Sequence, residues 1–144
     1  MDLQYVFASF DGRINRAKWW AGAIILLVIW LIVEAIFGGS MLGSLILVIV
    51  TLALLYPAYA VCAKRFQDRD RPGRTALYGL VPVVIASFLE NWGLTGTLQE
   101  PNGLGWICTL INLGVGLWFL IDLGILKGTP GQNHFGGDPL AAID

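Results

Sequence analysis

Five polar residues in three separated segments have the types and spacing to hold an anion or to hold one another: Arg13 and Arg16, then Arg65 and Asp68, then Asn133. Placed on a helix, Arg13 and Arg16 are three apart and share a face, the spacing at which two guanidiniums meet one carboxylate or phosphate. Two chemistries fit. In a structural latch, Arg13 and Arg16 pair with Asp68, Asp70 or Asp122 and tie helix ends together, as charged side chains near a membrane generally do. In a ligand site, Arg13, Arg16 and Arg65 receive an anionic headgroup beside Trp19 and Trp20, at the depth where lipid phosphates lie.

Three more polar residues, Glu34, Asn112 and Asp122, fall inside apolar runs. Ionisable groups in such runs are costly to bury and are functional candidates by default. On one inward face they would line a polar path. Each also has a plainer reading. Glu34 is only a few residues from the Gly38 turn and can reach the interface, and Asp122 is about a turn and a half from Lys127, within range of a basic partner. Asn112 is expected to hydrogen-bond to another helix, a contact worth about 1 kcal/mol.

Other constellations are excluded by the sequence. The single His134 has no second His or Cys at metal-ligand spacing, so neither zinc nor another metal is expected. There is no nucleophile elbow, phosphate-cradling loop or dinucleotide fingerprint. The expectation is a protein that is not an enzyme and carries no cofactor. No nucleic-acid partner is expected, because membrane topology accounts for the basic residues.

The elements that must position these residues follow from composition. The chain has 144 residues, 56% hydrophobic and 13% charged, about half the charge of an ordinary soluble domain. The apolar runs predict an all-α fold, a single polytopic bundle of four transmembrane helices over residues 1–144. The expected spans are about 17–38, 41–63, 75–91 and 104–126. Gly38-Gly39-Ser40 turns the chain between the first two, Pro57 is expected to kink the second, and the third is short and contains Pro82. Residues 90–103 make a polar, flexible outer connection. The first apolar run, Trp19 to Phe37, exceeds a cleavable signal core of about 7 to 15 residues and reads as a retained helix.

Charge then orients the bundle. Arg13, Arg16 and Lys18 precede the first span, Lys64, Arg65, Arg69, Arg71 and Arg74 lie between the second and third, and Lys127 follows the fourth, which accounts for every Lys and Arg. Short loops rich in Lys and Arg remain cytoplasmic, so the expected topology is N-in and C-in. Residues 1–18 contain Tyr5, Val6, Phe7 and Phe10 and read as a short amphipathic segment at the inner interface. Cys62 and Cys108 are separated by much of the membrane and are expected to be free.

Three motifs carry a family resemblance: Phe10-x-Gly12-Arg13-x-x-Arg16-x-x-Trp19-Trp20, then Lys64-Arg65-Phe66-Gln67-Asp68, then Gly131-x-Asn133-x-Phe135-Gly136-x-Asp138-Pro139. In this order, and over nearly the whole chain, they resemble the domain of unknown function 805 family of small bacterial inner-membrane proteins. The resemblance implies four helices in a bacterial plasma membrane and no particular activity. Where that family often has Arg-Arg-Leu-His-Asp, this chain has Gln67 in place of the His, which argues against a titrating imidazole at that point. The expected function is a non-enzymatic module whose cytoplasmic face, built from Arg13, Arg16, Arg65, Asp68 and Asn133, binds anionic membrane lipids or a partner protein. The rival is a small transporter or channel component working as a homo-oligomer, with Glu34, Asn112 and Asp122 lining the path.

Overall fold

The computed structural model describes residues 2–39, 41–97 and 99–141. Met1, Ser40 and Leu98, which belong to the expected amphipathic segment, outer turn and outer connection, lie outside the described residues. A short helix α1 (Leu3–Ala8) is followed by α2 (Arg16–Phe37), α3 (Met41–Asp68), a 3-10 turn (Gly73–Ala76) continuous with α4 (Leu77–Asn91), then α5 (Gly103–Phe119), whose final turns widen into a π-helical segment, Leu120–Ile125. Four of these stretches are long and apolar enough to cross a membrane: Arg16–Phe37, Leu42–Asp68, Gly73–Asn91 and Gly103–Ile125.

Local chemistry sets the helix starts. Asp2 caps α1 through the Tyr5 amide, Asn15 caps α2 by accepting from Lys18 N at 2.9 Å, and Asn102 caps α5 by accepting from Gly105 N at 2.9 Å. The α2 end is closed by Gly38 N donating to Glu34 O at 2.8 Å, after which Gly39 takes φ 88°.

The largest departure from expectation is at the end of α3. Residues 64–68 were expected in a loop, yet they are the last turns of a helix of 28 residues. At 1.5 Å per residue that helix is about 42 Å long, well beyond a hydrocarbon core of about 30 Å, so Lys64, Arg65 and Asp68 stand clear of the acyl region while remaining helical. The helix then stops in a Schellman arrangement: Asp70 has φ 59°, its N–H bonds Gln67 O at 3.0 Å, and Arg71 N bonds Phe66 O at 3.0 Å. Pro57 and Pro82 are both accommodated inside continuous helices. The third span gains length from the 3-10 turn, which starts it at Gly73, and ends at Asn91 as expected.

Helix α3 is the centre of the bundle, packing against α1, α2 and α4, while α5 packs on α4. Among the described residues, helix α2 meets the fourth span only at the π-helical segment. The tightly buried cluster, formed by Val6, Ile14, Trp19, Val61, Cys62, Phe66, Ala76 and Leu123, therefore lies toward the end of the bundle that carries the cations. Away from it, long aliphatic side chains such as Ile24, Leu45, Leu110 and Leu117 are exposed over the helix flanks, the distribution required of a surface facing lipid. At the other end, residues 92–97 and 99–102 fold back on themselves, with Asn102 N bonding Thr95 O at 3.1 Å and Asn102 Nδ2 bonding Leu94 O at 2.8 Å. Cys62 and Cys108 are free and buried.

This arrangement puts α1, the α3 terminus and the tail after Leu126 at one end, and residues 92–97 and 99–102 at the other. With single cysteines at Gln4, Gln132 or Thr97 in a Cys62→Ala/Cys108→Ala background, an impermeant maleimide applied to sealed vesicles should label residues 4 and 132 from one side and residue 97 from the opposite side. Labelling of residues 97 and 132 from the same side would break the four-span arrangement.

Candidate functional site

Asp68, the last residue of α3, is the hub of the charged end. Its Oδ1 accepts from Arg13 Nε at 3.0 Å and lies 3.0 Å from Arg13 Nη2 in the same ion pair, and its Oδ2 accepts from Arg65 Nη1, one helical turn back on α3. The three side chains are 4%, 2% and 1% exposed, so the charges are desolvated and stable only together. The tail closes over them. Thr129 donates to Asp68 O from both its amide (2.8 Å) and its hydroxyl (3.0 Å), and the remaining Arg13 donors reach Thr129 O and Gly131 O at 2.6 Å and Gly136 O at 3.2 Å. Gly128 passes so close to the Asp68 carboxylate that a Cβ there would overlap it.

Arg13 and Arg16 do not share a helix face. Helix α2 starts only at Arg16, and Arg13 lies in the extended approach to it, because Gly12 takes φ 106° with its Cα packed against the Tyr5 hydroxyl. Tyr5 Oη in turn bonds Arg13 N at 3.1 Å and Arg13 O at 3.2 Å. Arg13 is consequently buried in the hub. Arg16 is exposed, with one bond, from Nη1 to Ile125 O at 3.0 Å.

A second set of bonds satisfies the end of the fourth span. Five consecutive carbonyls, which lack helical partners at a helix terminus, are each capped from α2 or the α3 end. Arg69 reaches Asp122 O (2.8 Å), Arg65 Nε reaches Leu123 O (2.8 Å), Trp20 Nε1 reaches Gly124 O (3.2 Å), Arg16 reaches Ile125 O, and Arg65 Nη2 reaches Leu126 O (2.6 Å). Cations suit this position because the helix dipole is negative there. Within the π-helical segment, Asp122 accepts from Arg69, from Arg71 Nη1 at 2.7 Å and from Trp118 Nε1 at 3.0 Å. Two carboxylates, Asp68 and Asp122, thus face four guanidiniums.

Lys64, fully buried, does the same for α1: Nζ donates to Tyr5 O and, at 2.9 Å, to Val6 O, and lies 4.6 Å from the centre of the Tyr5 ring. Asn133 ties the tail to α3, donating to Gln67 O at 2.9 Å and to Thr129 Oγ1 at 2.8 Å. His134 Nδ1 lies 2.9 Å from Asp70 Oδ1 at the surface, and this contact holds the Asp70 carboxyl below the usual carboxylate range. Asp138 is held low as well, by the N–H groups of Leu140 and Gly131.

Between the start of α2 and the tail lies a pocket of about 510 Å³, bordered by Arg16, Ala17, Arg65, Lys127, Asp138 and Leu140 among others. Arg65 and Asp68 form its floor and are engaged with each other. Lys127 is exposed and makes no ion pair among the described residues. Arg13 and Asn133 lie outside the lining, in the latch beside it.

The intramembrane candidates are dispersed. Asn112 Nδ2 bonds Glu90 Oε1 on α4 at 3.1 Å, Glu34 lies near the opposite end of α2 from the hub, and Asp122 belongs to the charged end. Because α2 and α5 do not pack on one another among the described residues, one copy does not align these three groups. Among the described residues no three His, Cys, Asp or Glu side chains are grouped to hold a metal ion. The sequence reading did not single out Lys64, Arg69, Arg71, Trp20, Lys127 or Asp138 as site residues. Lys127 and Asp138 were legible only as a helix end and a motif position.

The model for the family described as "Protein of unknown function (DUF805)" matches residues 7–137. The chain is similar to the "Uncharacterized protein YiiR" of Escherichia coli (strain K12), with 32% identity over 139 residues, covering 96% of this chain and 90% of that protein. The protein of the same name from Escherichia coli O157:H7 matches equally. No solved structure matches the chain significantly.

The hub and the Asp122 cluster differ in burial, which separates their expected contributions. Asp68→Ala leaves two desolvated guanidiniums without a counterion and should destabilise the protein by about 3–5 kcal/mol. Asp122→Ala faces guanidiniums that are 17% and 48% exposed and should cost about 1 kcal/mol. Detergent melting curves of the two variants read this directly; equal losses would refute the hub. Gly128→Ala should behave like a hub variant, with a melting temperature lowered toward that of Asp68→Ala, whereas wild-type melting would show that the tail does not close on Asp68.

Proposed function

The chain belongs to the DUF805 family of proteins of unknown function, and from that premise we propose that it is a non-enzymatic plasma-membrane module whose cytoplasmic face holds the phosphate of lipid headgroups. Segregation of all Lys and Arg residues to one end of four spans supports a cytoplasmic location for that end. The bacterial relatives support a bacterial inner membrane.

The observation that carries the reading is the separation of two kinds of cation at the charged end. Arg13, Lys64 and Arg65 are buried and bonded to carbonyls, with both arginines also on Asp68. Arg16 and Lys127 are exposed, have no carboxylate partner among the described residues and border one pocket. A surplus of positive charge beside a concave site at headgroup depth favours an anion. Arg16 retains donors for a forked contact with phosphate oxygens, and Lys127 adds a point charge. The buried hub fixes the walls from which both side chains project, so little ordering has to accompany binding. A partner protein presenting an acidic segment is the competing occupant, and lipid analysis separates the two.

Arg16→Ala/Lys127→Ala should keep the wild-type melting temperature within a degree or two, because both side chains are exposed. It should retain roughly tenfold less phospholipid per protein after purification, from the loss of two contacts worth about 1.4 kcal/mol together. Arg16→Lys should fall between, since it keeps the charge and loses the fork. Equal lipid retention in all three proteins would overturn the proposal.

A further inference from the structure

The pocket lining carries charges of both signs: Arg16 at the start of α2 and Lys127 just past the fourth span, and Asp138 farther along the tail. Asp138 accepts one amide at each oxygen, from Gly131 N at 2.9 Å on Oδ2 and from Leu140 N at 2.9 Å on Oδ1. A carboxylate has about four lone-pair sites, so half of its accepting capacity is unused by these bonds. Asp68, the other carboxylate in the lining, is committed at both oxygens to Arg13 and Arg65. The same amide bonds hold the Asp138 carboxyl below the usual carboxylate range.

We infer that the pocket selects a headgroup in which a phosphate and a primary ammonium are joined by a short linker, a phosphoethanolamine group, with the phosphate at Arg16 and Lys127 and the ammonium at Asp138. This deepens, and rests on, the reading that the pocket receives a headgroup. Three features of the lining argue for this group over other phosphate-bearing ones. A headgroup ending in glycerol brings no positive charge to Asp138 and leaves its carboxylate close to a like-charged phosphate. A trimethylated ammonium has no N–H to donate and is recognised by aromatic cages, but among the described residues no aromatic side chain lines this pocket. Ala17, Pro130, Pro139 and Leu140 supply apolar surface for the carbons between the charges. The volume of about 510 Å³ is within the range of small-molecule sites, about 300–1,000 Å³.

The wild-type protein is sufficient for the principal test. Native mass spectrometry would titrate the full chain with short-chain diacyl phosphoethanolamine, its N-monomethyl, dimethyl and trimethyl derivatives, and the phosphoglycerol analogue. Affinity should fall with successive methylation, by roughly tenfold from the primary amine to the trimethyl form, as the charge-assisted hydrogen bonds are removed. The phosphoglycerol lipid should also bind more weakly than the primary amine. In Asp138→Asn the differences should collapse while binding that depends on Arg16 and Lys127 remains. Soluble glycerophosphoethanolamine identifies the source: binding as tight as that of the diacyl form upholds the chemistry and assigns a soluble ligand, whereas much weaker binding upholds it and assigns a membrane lipid. Equal affinity across the series, with dependence on Arg16 and Lys127 intact, would overturn the selectivity and leave the headgroup reading standing. Binding indifferent to Arg16 and Lys127 would overturn both.

Discussion

The buried carboxylate of Asp68, held between Arg13 and Arg65, is the interaction on which the rest of this structure depends. It stands at the end of the central helix, where three chain segments separated by dozens of residues meet. Removing two guanidiniums and a carboxylate from water is unfavourable by several kcal/mol per ion, and geometry alone repays it. The geometry is supplied by what surrounds the hub: the α3 helix carried past the hydrocarbon, the Gly12 turn that directs Arg13 inward, and Gly128 passing the carboxylate with no side chain in the way. Each would be unnecessary without the others.

The same guanidiniums solve a second problem, and the two solutions interlock. A spanning helix ends with carbonyls that have no partner, and the interfacial end of the fourth span is buried against α2 and α3, so side chains must serve instead of water. Arg65 bonds Asp68 with one nitrogen and two of those carbonyls with the others. The electrostatics of the bundle end and its helix packing are therefore one network. With carboxylates in the minority, that network leaves a positive surplus, and Arg16, Arg74 and Lys127 stand exposed with no ion pair among the described residues.

Much of this was legible in the sequence because it rests on composition and local chemistry. Hydropathy gave the four spans, and the distribution of cations gave a single charged end. The terminus of α3 was not legible, since Lys64-Arg65-Phe66-Gln67-Asp68 has the composition of a loop. It stays helical only because α1 and the tail bury it, and those partners are about 60 residues away in the chain. Arg13 and Arg16 have the spacing of helix neighbours, and the left-handed glycine that takes Arg13 off the helix is specified by packing against Tyr5. The π-helical segment was equally hidden, because it is stabilised by Arg69 and Arg71 arriving from another span. As a result the charged candidates Arg13, Arg16, Arg65, Asp68 and Asn133 meet at one end while Glu34 and Asn112 lie away from it, and the pocket there is bordered by Lys127 and Asp138, which carry no local signal of a site.

The division of labour between buried and open cations is the central claim, and solid-state NMR of the protein in phospholipid bilayers tests it most directly. Phosphorus-31 dephasing of arginine and lysine side-chain nitrogen-15 signals reports which cations lie within a few ångströms of lipid phosphate. The account predicts strong dephasing at Arg16 and Lys127 and none at Arg13 or Lys64. Dephasing at Arg13 or Lys64, or its absence at both Arg16 and Lys127, would contradict it.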